Sequence, residues 1–471
     1  MTMRKLTITL GLLTLASAGH AEDVPPPQVA VEQGTVSGVD ADGVTAFKGI
    51  PFAAPPVGDL RWRAPQPAAK WDGVRNGAAY GHDCMQNYNA VPLPPGSAPS
   101  EDCLYVNVWR PSGEATRLPV LVWIYGGGFV NGSASRLIYT GTRLAQQGVM
   151  VVSFNYRLGR FGTFAHPALT GAKEDGGRFA NYGFMDQIAA MEWIKRNVAA
   201  FGGDPQNITI MGESAGGMSV HNLVTAPATQ GKDLFQRAVV MSGGSGSAIK
   251  ASTLKDAEAI GLAFGKAEGV AANDPQALAK LRAIPARSVT GDIKLGTVLT
   301  GGPRTFSSPF PLGDAATDVA AAYKAGRFAK VPTIIGATSG DLGGRDGMMI
   351  AGARDLAGTI AGQGVPTWYY RFSYVSDAAV TPKSDGAIHA DDLPYFFDTV
   401  DIKYGAKTRP ADQAMGHTIA TYIANFVKAG NPNGQTVPQW PGYAGAGGQM
   451  MDFAADGTTR VAADPWAPPA P

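Results

Sequence analysis

The sequence predicts an α/β protein whose largely parallel central sheet is flanked by helices, and three observations predict it. Residues 118–125 and 149–156 are nearly continuous apolar runs, as strands buried on both faces of a parallel sheet require. Phe184, Ile188, Met191, Ile194 and Val198 then recur at helical spacing and stop at Gly202-Gly203. A β-branched run at 207–211 leads into Gly212-Glu213-Ser214-Ala215-Gly216 and on into a helix through Met218, Val220 and Leu223. Strand, helix and strand alternate, which is how a parallel sheet is built.

Taken in order, the chain opens with Arg4 and Lys5, an apolar run over 6–16, and small residues at Ala16, Ala18, Gly19 and Ala21. That layout predicts a secretory signal peptide over residues 1–21, because the run is too short to span a bilayer. A single domain over 22–471, periplasmic or secreted, is the corresponding expectation. After Pro25-Pro26-Pro27, strand-like runs at 29–31 and 44–47 predict a small N-terminal edge sheet. The proline-punctuated stretch 49–65 predicts an irregular covering over the core. Beyond the serine, 237–241 and 331–336 read as further strands. Helical stretches around 254–268 and 274–284 are expected outside the sheet. A strand at 367–372 leads to His389, and the helix carrying Met415, Ile419, Ile423 and Phe426 stops at Gly430-Asn431-Pro432-Asn433.

Composition narrows the classes of function. The net charge is +1, and charged residues make up 16% of the 471, below the roughly 25% usual in soluble domains. No basic or acidic surplus points to nucleic acid or to an anionic membrane. No later stretch is long and apolar enough for a transmembrane helix. Two cysteines, Cys84 and Cys103, suit a disulfide in an oxidising compartment; with no histidine pair nearby they lack zinc-ligand spacing.

Strand, tight turn and helix are the context in which G-x-S-x-G places a nucleophilic serine at a strand end. Ser214 needs a base to act at neutral pH. Of the six histidines, His20 lies in the signal region, while His82 and His166 precede the serine. His221 sits two helical turns beyond Ser214, and His417 falls inside a helix. His389, in a loop after a strand, is therefore the expected base. The carboxylate that orients it should follow the strand at 331–336, which makes Asp341 the first candidate and Asp346, in the same glycine-rich loop, its rival. Oxyanion donors are expected from Ala215, the residue after the nucleophile, and from the loop Gly126-Gly127-Gly128. That triplet is not followed by the Gly-Lys-Ser/Thr of a phosphate loop.

These residues resemble the type-B carboxylesterase and lipase family, a group of α/β-hydrolase fold that includes bacterial carboxylesterases and the cholinesterases. Residues 201–217, Phe-Gly-Gly-Asp-Pro-Gln-Asn-Ile-Thr-Ile-Met-Gly-Glu-Ser-Ala-Gly-Gly, look like its serine signature. Glu101-Asp102-Cys103-Leu104-Tyr105-Val106-Asn107-Val108 looks like its second signature. The resemblance implies Ser214 as nucleophile, His389 as base and Asp341 as acid, with Gly127, Gly128 and Ala215 holding the oxyanion. It also implies a Cys84–Cys103 disulfide, a small-molecule ester substrate and no metal or organic cofactor. Amides and thioesters, or a non-catalytic binding relative of the fold, are the alternative readings. Two departures stand out. The family's usual acid is glutamate, and only 48 positions separate Asp341 from His389, which implies a shortened cap and a more open site. The loop from Cys84 to Cys103 has no tryptophan and only Tyr88 as an aromatic, so choline esters are not the expected substrates.

Overall fold

The structure, a computed structural model, describes residues 26–87, 93–114, 116–246, 253–296, 305–379, 382, 385–445 and 447–467. The signal-peptide region and Tyr88 lie outside the described residues.

Eleven strands form the main sheet. In chain order they are β3 (Val39–Ala41), β4 (Val44–Pro51), β6 (Tyr105–Pro111), β7 (Leu118–Ile124), β8 (Met150–Phe154), β9 (Gly203–Glu213), β10 (Arg237–Met241), β11 (Thr333–Thr338), β12 (Thr367–Phe372), β13 (Gln449–Phe453) and β14 (Thr459–Ala463). Across the sheet the order is β14-β13-β12-β11-β10-β9-β7-β8-β6-β4-β3. The stretch from β8 to β13 is parallel throughout, and β6, β4, β3 and β14 attach to its edges antiparallel. All five residues of β8 and all six of β11 and β12 are buried, which is why these runs show no polar alternation.

A separate three-stranded sheet joins β1 (Gln28–Val31), β2 (Gly34–Ser37) and β5 (Val74–Asn76). The expected edge sheet therefore exists, but the run 44–47 is not part of it. That run belongs to β4, which buries Phe47 and Ile50 completely and pairs with β6 in the main sheet. Within the proline-rich covering, Trp62 is buried, stacks on Phe164 at 4.4 Å and donates its indole N–H to the Arg160 carbonyl at 2.7 Å.

The helix Tyr182–Asn197 buries twelve of its sixteen residues against the sheet. The helices Leu254–Ala267 and Ala277–Ala283 sit outside the sheet, between β10 and β11 in sequence. The helix Pro410–Ala429 ends at Gly430 with φ 72°, the left-handed cap that glycine adopts without strain. The strand ends β9, β10 and β11 point the same way and define one edge of the sheet, where the predicted site residues gather.

Candidate active site

The strand β9 lies between β7 and β10 and ends at Glu213. Ser214 follows with φ 57° and ψ −123°, a conformation uncommon for a residue with a side chain, and the helix Ala215–Thr225 departs at once. Only small neighbours permit so sharp a turn. A Cβ on Gly212 would lie 2.3 Å from the Gly216 carbonyl oxygen, and one on Gly216 would lie 2.0 Å from that of Ile124. The Ser214 N–H donates to the Met241 carbonyl at 2.9 Å, tying the turn to the end of β10.

His389 reaches the serine from the loop after β12. Its Nε2 is 2.8 Å from Ser214 Oγ, and its Nδ1 is 2.7 Å from Asp341 Oδ1. Asp341 stands just beyond β11, where its Oδ2 accepts from the Ser242 hydroxyl at 2.6 Å and its Oδ1 from the Leu342 N–H at 2.7 Å. The Gly340 N–H donates to the Ala387 carbonyl at 2.8 Å, which brings the acid loop and the histidine loop together. Asp346 is elsewhere: its side chain is 79% exposed and pairs with Arg345 at 3.1 Å.

The glycine triplet follows β7 and packs on the serine turn. A Cβ on Gly126 would lie 2.5 Å from the Glu213 carbonyl oxygen and 2.8 Å from the Ser214 Cβ. Gly127 and Gly128 have φ of 112° and 62°, so this loop takes a path that only glycine follows freely. Ala215 is the first residue of its helix, where N–H groups have no intrahelical acceptor. A cavity of about 150 Å³ adjoins this region, lined by Phe129, Phe184, Met218, Asn222, Phe310 and Val319 among others. Phe129 directly follows Gly128, and Met218 lies one turn beyond Ser214.

Sequence reasoning missed two further carboxyl groups. Glu213 is buried, with Oε1 3.3 Å from His389 Nε2, and burial pushes its carboxyl up to about 7. Asp392 is fully buried and accepts from the Tyr370 hydroxyl at 3.1 Å; burial raises it well above the ordinary range. Glu213 occupies a variable position of the pentapeptide, and Asp392 read only as a helix start. Burial of the His389 ring opposes its charged form, yet Glu213 and Asp341, followed by Asp392, outweigh this and lift it to about 9. Burial is the largest single influence on Asp341 and opposes its ionisation, but the bond to His389, the attraction of its charge and the Ser242 and Leu342 donors together outweigh it and hold the carboxyl below the ordinary value.

Cys84 and Cys103 are joined in a disulfide. Among the described residues, no group of three or more His, Cys, Asp or Glu side chains is placed to hold a metal ion, and no helix is long and apolar enough to cross a membrane.

Comparison with known proteins gives one family. A sequence model described as "Carboxylesterase family" matches residues 25–344 and 343–464. The fumonisin B1 esterase of Sphingopyxis macrogoltabida is 32% identical over 503 residues, covering 95% of this chain and 90% of that protein. The para-nitrobenzyl esterase of Bacillus subtilis (strain 168) is 34% identical over 468 residues, covering 88% and 92%. A solved structure of a PNB esterase superposes with a TM-score of 0.80 at 30% identity, covering 94% of this chain and 98% of that one. With a family model matched along nearly its whole length and a solved structure that superposes over most of both chains, the chain belongs to the carboxylesterase family and is a carboxylic ester hydrolase of α/β-hydrolase fold.

Proposed function

We propose that the protein is an exported serine carboxylesterase acting on small-molecule esters through an acyl-enzyme, with Ser214, His389 and Asp341 as its triad. One observation carries the reading: an unbroken line of hydrogen bonds from Ser214 Oγ through both nitrogens of His389 to Asp341. Asp341 holds Nδ1, so Nε2 is free to accept the serine proton. Oγ then bonds to the ester carbonyl carbon, and the carbonyl electron pair moves onto oxygen. The N–H groups of Gly127, Gly128 and Ala215 are the donors for that oxyanion. As the tetrahedral centre collapses, the bond to the alcohol oxygen breaks and Nε2 returns the proton to it. Water, deprotonated by the same nitrogen, repeats the attack on the acyl-enzyme and releases the acid.

Aspartate serves here where the family resemblance leads one to expect glutamate. Its shorter side chain still reaches Nδ1 at 2.7 Å because two further donors, Ser242 and Leu342, fix the carboxylate in place. Export is supported by the signal-peptide pattern over 1–21 and by the disulfide, which persists in the periplasm or outside the cell. The continuous main sheet supports a single domain over 22–471.

Ser214→Ala should reduce turnover of p-nitrophenyl acetate by on the order of 10⁴ or more with circular dichroism unchanged. Substantial remaining turnover would overturn the mechanism. Asp341→Asn should cost far more activity than Asp346→Asn, and the opposite ranking would move the acid to Asp346.

A further inference from the structure

Gln86 stands two positions after Cys84 and is 6% exposed. Its side chain nevertheless behaves like a strand partner for the loop that carries the oxyanion donors. Gln86 Nε2 donates to the Gly132 carbonyl at 2.8 Å, and the Gly132 N–H donates back to Gln86 Oε1 at 2.9 Å. The same Nε2 also donates to the Cys84 carbonyl at 3.0 Å, which fixes the amide within its own segment. Both backbone groups of Gly132 are therefore held by one planar side chain.

Gly132 closes a very tight loop. The Val130 and Asn131 N–H groups both donate to the Gly127 carbonyl, at 3.1 and 3.0 Å. A Cβ on Gly127 would lie 2.0 Å from the Asn131 carbonyl oxygen, and one on Gly132 would lie 2.3 Å from that of Gly126. With so little slack, a displacement of Gly132 is passed to Gly127 and Gly128. The neighbouring contact points the same way, since Asn131 Nδ2 donates to the Asn87 carbonyl at 3.3 Å.

We propose that Gln86 is a positioning residue for ester hydrolysis: by clamping both backbone groups of Gly132 it holds the N–H groups of Gly127 and Gly128 where the oxyanion forms. The disulfide at Cys84 anchors the segment that bears the clamp. This inference rests on the assignment of Gly127 and Gly128 as oxyanion donors. Geometry of this kind acts on the transition state more than on the bound ester, so its loss should appear in kcat rather than KM.

The test uses the full-length enzyme with p-nitrophenyl acetate, and a trifluoromethyl ketone whose serine adduct bears an oxyanion, with the matching methyl ketone as control. Gln86→Leu keeps the side chain's approximate size but cannot bond to Gly132. It should lower kcat by roughly tenfold to a hundredfold, as misplacement by about an ångström does. KM should change less than about threefold, and affinity for the trifluoromethyl ketone should fall in parallel with kcat. Gln86→Glu provides the second variant should Gln86→Leu not fold. Its carboxyl mimics the amide only when protonated, since the carboxylate faces the Gly132 and Cys84 carbonyls. Its kcat relative to the parent enzyme at the same pH should therefore rise as pH falls from 8 to 5. A pH-independent ratio, or a Gln86→Leu enzyme with parental kcat and trifluoromethyl ketone affinity, would overturn the proposal. If instead the parent enzyme binds the two ketones equally, the oxyanion assignment itself fails.

Discussion

His389 is surrounded by acid. Glu213 stands 3.3 Å from Nε2, Asp341 holds Nδ1, and Asp392 adds a third buried carboxyl nearby. Above neutrality, where Glu213 is ionised, its charge favours the protonated imidazole and so delays the appearance of the neutral base as pH rises. Removing that charge lowers the histidine pKa, so more of it is neutral at any given pH. Glu213→Gln should therefore move the acid limb of the kcat/KM profile to lower pH by roughly one unit or more. A shift in the opposite direction would show that Glu213 does not act on His389 through its charge. The residues legible in the sequence were those with a pattern to betray them. Ser214 sat in a spaced motif, His389 emerged by elimination among six, and Asp341 followed a recognisable strand. Gln86, Glu213 and Asp392 carried no such sign, because their roles depend on which distant segments fold against them.

Glycine spacing governs the elements around the serine. The helix Ala215–Thr225 approaches the end of β7 so closely that Gly216 faces the Ile124 carbonyl. Gly216→Ala should separate the two and lower stability by about 1–3 kcal/mol, the range typical of overpacking. Ester turnover should fall with it, because Ser214 is fixed by the same turn. A urea midpoint and turnover equal to the parent's would mean that the Ile124 carbonyl yields freely. Among the elements, long buried strands were readable because burial on both faces leaves a continuous apolar run. The three-residue strands β3 and β5 were not, as Val39–Ala41 and Val74–Asn76 hold too few residues for any period to show. The run at 44–47 looked like an edge partner of 29–31 because sequence proximity was its only visible clue. Long-range pairing with β6 decided otherwise.

At the scale of the whole molecule, the segment just after β14 is fastened by charge. Asp464, after β14, lies 3.3 Å from Arg371 on β12 and 3.4 Å from Arg354 on the helix Ile350–Ala361. All three side chains are nearly or fully buried, and the Trp466 ring lies 4.1 Å from the Arg371 guanidinium carbon. Asp464→Asn would leave two buried guanidinium groups without this carboxylate, so it should cost about 3–5 kcal/mol. A thermal midpoint unchanged from the parent's would show that solvent or other groups compensate.

The site draws its proposed nucleophile and base from positions 175 residues apart. At the usual pace of roughly 5–20 residues per second, a ribosome needs about 9–35 s to pass from one to the other. During that interval the emerging polypeptide carries Ser214 without the histidine proposed to activate it. On the proposed triad, a nascent chain therefore lacks its base until His389 has been translated and has docked beside Ser214.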